Sequence, residues 1–331
     1  MRHSFEREVG TAEFRTIPED PGLPGLVAMR AAGVAQTVPE LGLGREPVGL
    51  TVRAHRPGRR MTLEMSVADR HLALKVYAQD PSPEVALCEF FATAGLTGDR
   101  GARVPPLVAW RSDLRILVVG WLDGPTVFEL LKRGEGERAG ALAARWLELA
   151  RTLSFHSGRP RGAERVLRRS AKWTARLMAA DKGLGTAASM LAERLGRSLP
   201  RESTRCLTHG TYHDKNILDC GDGPGVIDWE SSGWGPQELD AGAFLACMSW
   251  RAVRDRRFPE AMRASRVFRS WIATQQMDER AVAWHEAAWL MCHASRAARR
   301  PHEDGLAKGW TLISRAHGTL EGEVQEEAEL A

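Results

Sequence analysis

Three short runs of alternating apolar and polar residues, crowded between Leu50 and Tyr77, restrict what this chain can become. They read LTVRAH, MTLEMSV and HLALKVY, with only RPGRR and ADR between them. Side chains on a strand point alternately to opposite faces, so each run presents one apolar face. Connections this short join antiparallel neighbours, and the segment predicts a three-stranded meander. A helix is predicted next, with Ser82 as N-cap, Pro83 and Glu84 in the first turn, and EVALCEFFATAGL at helical spacing. VPPLVAW and RILVVGWL read as two further strands, Asp123-Gly124 as a turn, and TVFELLKR as the start of a helix. Residues 1–45 are rich in Pro and Gly and show no period, so an irregular lead-in is expected there.

From about residue 138 the helical period takes over. AGALAARWLELARTLSFHS is one long amphipathic segment, and residues 165–198 supply one or two more helices. CLTHGTYHDKNILDCGDGPGVIDWE interrupts them with short apolar runs among polar residues, which predicts a loop with two short strands. Helices resume after Gly235 and run to about residue 318, before an acidic, frayed end. The order predicts an α+β chain with a small antiparallel-sheet lobe and a larger, mostly helical lobe. The boundaries expected are 1–45 for the lead-in, 46–121 for the sheet lobe, 122–320 for the helical lobe and 321–331 for the tail. A chain of 331 residues, 43% of them hydrophobic, can bury such cores without covalent staples. Its five scattered cysteines, with no CxxC pair, point to reduced thiols in a cytoplasm and away from a structural zinc site. No apolar run is long enough to span a bilayer, and MRHSFEREVG lacks the apolar core of a signal peptide. A cytoplasmic protein with no membrane partner is therefore expected.

The interrupting segment carries the chemistry. Asn216 follows His209 by seven residues, and Asp228 follows Asn216 by twelve, at the end of the apolar run Gly225-Val226-Ile227. An amide oxygen and a carboxylate at neighbouring strand ends are hard ligands of the kind Mg²⁺ takes alongside phosphate oxygens. His209-Gly210, Asn216-Ile217-Leu218, Ile227-Asp228-Trp229-Glu230, Gly235-Pro236 and Asp240 together resemble the motif of aminoglycoside phosphotransferases and choline kinases, relatives of the protein kinases. The resemblance covers roughly residues 45–300. It implies a bilobal protein-kinase-like fold that uses ATP or GTP with Mg²⁺, with Asn216 and Asp228 as metal ligands. It implies that Lys75, on the third strand, holds the α- and β-phosphates. Glu89 and Glu84 compete as the carboxylate partner of that lysine, and Glu89, deeper in the helix, is favoured. Backbone groups near Val119, Trp121 and Leu122 would hold the purine. Arg56, Arg59 and Arg60 lie where the family places its phosphate-covering loop, but without a glycine-rich signature they read better as a solvated basic turn.

One residue departs from the family pattern. The Asp that accepts the substrate hydroxyl proton is replaced by Thr211, which has no pKa near neutrality and cannot act as a general base. His213 and Asp214 are the nearby substitutes. His209 and Asp240 are expected to support the loop, Asp240 through backbone N–H groups. Glu230 is expected near metal-bound water or substrate.

The acceptor side is basic. Residues 151–205 hold thirteen Lys and Arg against four Asp and Glu, which disfavours a polycationic antibiotic and suits an acidic or neutral partner. A precursor peptide with an acidic leader, or a partner enzyme, fits that balance by family analogy. Nucleic acid is not expected, because no basic platform interleaved with aromatic residues is present. Most of the eleven Trp residues, such as Trp284 and Trp289, read as core. The reading is an atypical phosphotransferase acting on a hydroxyl, such as Ser or Thr of a peptide in natural-product biosynthesis. A pseudokinase that binds nucleotide, peptide or protein without transfer is the alternative, and a small-molecule or antibiotic kinase is the third.

Overall fold

The computed structural model describes residues 14, 16–44, 46–155, 160–201, 205–254, 259–299 and 304–322. The first residues of the lead-in and nearly all of the acidic tail lie outside this set. The chain divides into two compact units, residues 1–99 with 103–122 and residues 100–102 with 123–331.

The first unit is built on a five-stranded antiparallel sheet. Strands β1 (Gly49–Arg56), β2 (Arg60–Val67), β3 (Arg70–Tyr77), β4 (Leu107–Arg111) and β5 (Ile116–Gly120) lie in the order β1-β2-β3-β5-β4. The three alternating runs form the meander, with Leu63 opposite Leu74 and Thr62 opposite Lys75. Alternation sorts the side chains of β3: Leu72, Leu74 and Val76 join one apolar cluster, while Ala73 and Tyr77 join a cluster on the other face.

Each face has its own cover. Helix α3 (Ser82–Thr93) places Val85 and Cys88 against Tyr77, Leu117 and Val119. Ser82 is inside this helix rather than capping it. The carboxylate of Asp80 accepts from the Ser82 amide at 3.0 Å. The other face is covered by the segment expected to be irregular. Helix α1 (Pro24–Ala32) and the short helix α2 (Val34–Thr37) bring Leu26, Met29 and Val34 onto Leu63, Leu74 and Ile116. Proline and glycine, which at sequence level signal loops, here start and stop a helix. Pro24 occupies the first turn, and Gly33, at φ 81°, ends α1. Gly25 allows the close approach, since a Cβ there would lie 2.5 Å from Ile116.

The second unit is helical. Helix α4 (Val127–Lys132) opens with a capping box between Thr126 and Glu129. Helices α5 (Gly136–Ala150), α6 (Ala163–Ala180), α7 (Lys182–Arg197), α8 (Glu238–Arg254), α9 (Pro259–Thr274), α10 (Glu279–Ala297) and α11 (Asp304–Glu321) follow. One core cluster gathers Leu177, Leu191, Leu195, Trp284, Leu290 and Leu312. The indole of Trp284, 1% exposed, donates to the Leu195 carbonyl at 3.0 Å.

Between α7 and α8 lie four short strands instead of the two expected. The hairpin of β7 (Ile217–Asp219) and β8 (Pro224–Val226) matches the apolar runs of the sequence. The second pair, β6 (Arg205–Thr208) and β9 (Gly233–Pro236), brackets the segment. RCLT and GWGP are too short to show a period, and their pairing is non-local. Among the described residues, no helix is long and apolar enough to cross a membrane.

Candidate active site

In the first unit, β3 presents Lys75 on the face toward α3. Its side chain is buried, and Nζ donates to Glu84 Oε1 at 2.5 Å. Tyr77, two residues on and therefore on the same face, donates its hydroxyl to the other carboxylate oxygen at 2.7 Å. The favoured partner, Glu89, is exposed, so the pairing expectation is corrected to Glu84. The physical reason is the helix start. Because α3 begins at Ser82, its first turn already lies over the end of β3.

The segment expected to hold a purine is largely occupied by the sheet. Val119 is paired with Ala73 on one side and Leu107 on the other. The amide of Gly120 donates to Pro106 O at 2.8 Å, and that of Trp121 to His71 O at 3.1 Å. The Trp121 ring stacks on His71, with centroids 4.2 Å apart. Of the residues named, only Leu122 donates no backbone hydrogen bond among the described residues. The basic turn before β2 is tied down by a residue the sequence did not single out. Asp20 accepts from the Gly58 amide at 2.8 Å and pairs with His55 at 2.9 Å.

In the second unit, the loop from β6 to β7 is fixed at several points. Asp240, in the first turn of α8, accepts from the amides of His209 and Gly210 at 2.6 and 2.9 Å. Burial pushes its carboxyl up to about 6, against the pull of those two amides. Gly210 takes φ 75°, and a Cβ there would lie 2.3 Å from Ser231 O, so only glycine fits. His209 Nε2 donates to Ile227 O at 2.8 Å, and its Nδ1 accepts from the Thr211 amide at 3.3 Å. The buried Tyr212 hydroxyl anchors the loop to Ala143 O of α5 at 2.8 Å. Sequence reasoning did not single out Tyr212, and its only signal was an apolar ring inside a polar loop.

The two proposed substitutes for the missing carboxylate have separate fates. Asp214 is 1% exposed and is gripped by Arg251 of α8, with Nη2 donating to Oδ1 at 3.1 Å and Nε to Oδ2. The guanidinium stacks over Phe128, whose own amide donates to Asp214 O at 3.0 Å. A carboxylate held in a buried fork cannot leave it to take a proton without exposing an unpaired guanidinium. Asp214 is therefore corrected from a candidate base to a loop anchor. His213 is partly exposed, and burial lowers its pKa, so the imidazole is neutral near pH 7. Its Nδ1 accepts from the Lys215 amide at 3.3 Å. The hydroxyl of Thr211 lies 3.3 Å from His209 Nδ1.

Asn216 and Asp228 come together at one end of the β7–β8 hairpin. The Ile227 amide donates to Asn216 O at 3.0 Å, which brings the two residues into register. Asn216 is 6% exposed, and its Nδ2 donates to Thr211 O at 3.1 Å. The amide is thereby oriented, with Oδ1 left for a cation. Asp228 takes φ 66°, a left-handed conformation that turns the chain into the 3-10 turn of Trp229–Ser231. Glu230 is exposed in that turn. Among the described residues, no group of three or more His, Cys, Asp and Glu side chains is arranged to hold a metal. One amide oxygen and one carboxylate suit Mg²⁺, which retains water and phosphate oxygens for the rest of its shell.

Residues 59–279 match the model of the phosphotransferase enzyme family. No curated protein matches the chain. Three solved structures illustrate the fold it shares. A putative aminoglycoside phosphotransferase from Ralstonia eutropha is 16% identical, with 90% of this chain and 96% of that one covered and a TM-score of 0.58. The GDP complex of an aminoglycoside 2'-phosphotransferase variant is 12% identical, with 87% and 96% covered and a TM-score of 0.56. A choline/ethanolamine kinase family protein from Mesorhizobium loti is 16% identical, with 89% and 93% covered and a TM-score of 0.53.

Proposed function

The chain belongs to the phosphotransferase enzyme family, and from that premise we propose that it moves the terminal phosphoryl group of ATP or GTP onto a hydroxyl of an acidic or neutral acceptor, such as Ser or Thr of a peptide. The observation that carries this reading is the backbone bond from Ile227 to Asn216 O, which sets Asp228, the next residue, at the same hairpin end as Asn216, with the Asn216 amide turned by its bond to Thr211 O. Nucleotide use is supported by the GDP held by the similar aminoglycoside 2'-phosphotransferase. In this reading Lys75, steadied by Glu84 and Tyr77, takes the α- and β-phosphates. Asn216 Oδ1 and the Asp228 carboxylate hold Mg²⁺, which when bound neutralises charge on the phosphate oxygens. Asp240 and His209 keep the loop in shape. The acidic character of the acceptor rests on the charge of residues 151–205, thirteen basic against four acidic.

Thr211 alters the proton step. With Asp214 tied to Arg251, no carboxylate of this loop accepts the acceptor's proton. General-base assistance is worth about 10²–10⁴-fold, whereas phosphoryl transfer draws most of its acceleration from positioning and charge. Slow transfer, or transfer to an easily ionised hydroxyl, follows. The same observation favours a second reading, a nucleotide-binding pseudokinase that holds a peptide or partner protein.

Thermal stability with ATP, GTP and Mg²⁺, singly and together, tests the nucleotide site. At ~100 times Kd, bound nucleotide adds about 2.7 kcal/mol. The shift should require Mg²⁺ and disappear in Asp228→Ala; no shift in the wild type overturns the assignment. Transfer seen in Thr211→Asp but absent from the wild type would establish the pseudokinase reading.

A further inference from the structure

A cavity of about 210 Å³ opens in the second unit, away from the residues assigned above. It lies where the start of α6, the turn after α7 and the first half of α10 meet the outer end of the β6–β9 ribbon. Five arginines line it, Arg161, Arg165, Arg168, Arg201 and Arg205, and among the described lining residues Glu164 is the one carboxylate. Glu164 sits 3.7 Å from Arg168, and both are exposed, so that pair is weak. Arg161 is held in place by donating to Ser232 O at 3.0 Å.

Two independent features point the same way. The first is the N-terminus of α6. Its N-cap is Gly162, with no side chain to accept from the first turn, and the first intrahelical bond is made by Val166. The amides of Ala163 and Glu164 make no hydrogen bond among the described residues, and both residues line the cavity. An uncapped helix start carries partial positive charge and aligned donors. The second is His285 on α10, which also lines the cavity. It is wholly buried, and among the described residues neither ring nitrogen has a hydrogen-bond partner. Buried polar groups are otherwise satisfied as a rule, so an imidazole left bare at the wall of a cavity calls for a ligand.

We propose that this cavity binds an oxyanion group, a phosphate monoester or a carboxylate, held by the arginines, the α6 amides and His285. On the phosphotransferase reading above, the group belongs to the acceptor and anchors it. Arg205 pairs with Pro236 at the cavity end of the ribbon, and Thr208, next to His209, pairs with Gly233 at the other. The anchor therefore stands about 10 Å of strand from the loop that carries Thr211.

Titration calorimetry of the full chain at constant ionic strength tests the site, with inorganic phosphate and succinate as probes. One equivalent of anion should bind saturably. The doubly exposed variant Arg168→Gln/Arg201→Gln should weaken binding at least tenfold. His285→Phe, which keeps an aromatic ring but removes the polar atoms, should weaken it several-fold and leave the melting temperature equal or higher. Lys75→Met should bind the anion as the wild type does, so that failure of the nucleotide site and failure of this site are read separately. Tighter phosphate identifies a phosphate monoester and tighter succinate a carboxylate; either supports the site. No saturable binding, equal binding in the double arginine variant, or binding lost only in Lys75→Met overturns it.

Discussion

Single positions carry the chemical argument, and two of them illustrate what a sequence can and cannot say. Thr211 was legible at once, because a motif with one wrong residue marks its own exception. The fate of Asp214 was not, since its partner Arg251 stands thirty-seven residues on, in another helix. The choice between Glu84 and Glu89 failed for a related reason. Helical depth suggested Glu89, but the carboxylate that meets Lys75 is fixed by where α3 begins relative to β3. Glu84→Gln should therefore weaken Mg-nucleotide binding by roughly 1.5–3 kcal/mol, the worth of a hydrogen bond to a charged group. Glu89→Gln should leave it within experimental error. Nucleotide titration of both variants checks this, and equal losses would remove Glu84 from its role.

At the scale of elements, the strands were the readable part. A period of two with tight turns specifies a meander and its register, and the observed bounds of β1, β2 and β3 fall within a residue or so of the alternating runs. Residues 24–41 were misjudged because composition outweighed position, proline and glycine being counted as loop formers when they mark helix ends. The pair β6 and β9 was invisible because four-residue strands show no period and their pairing spans the whole motif. The misjudged helix makes a firm expectation. Leu26 is fully buried beneath the sheet, in the same cluster as Leu63, Leu74 and Ile116. Leu26→Ala should destabilise the fold by about 2–5 kcal/mol, as large-to-small core changes do. Urea denaturation measures it, and a cost under 1 kcal/mol would mean that α1 is dispensable.

For the molecule as a whole, buried titratable groups set the response to acid. Burial lowers the pKa of His285 and of His293 from 6.5 to about 3, so the folded chain keeps both neutral while the unfolded chain protonates them. Their contribution to stability is present above about 6.5 and is lost as pH falls toward 3. Asp240 runs the other way, with its pKa raised from 3.8 to about 6. Its contribution is full below about 3.8 and is lost as pH rises through 6. Between about pH 4 and 6 the two histidines outweigh Asp240, and His213, also lowered by burial, adds to them, so stability should rise with pH by at least about 1.4 kcal/mol per unit, the worth of one net proton. His285→Phe should flatten that slope. Denaturation midpoints taken across the range check the sign, and a slope that falls with pH would refute it.

Each apolar cluster described above lies within one unit, two on the faces of the sheet and one around α10. That division has an evolutionary consequence. Substitutions that retune the arginine cavity draw on the stability of the helical core alone, and those around Lys75 draw on the sheet. A lineage of such chains can therefore exchange one acceptor chemistry for another while Lys75, Glu84 and Tyr77 stay still, and selection can act on the two units at different rates.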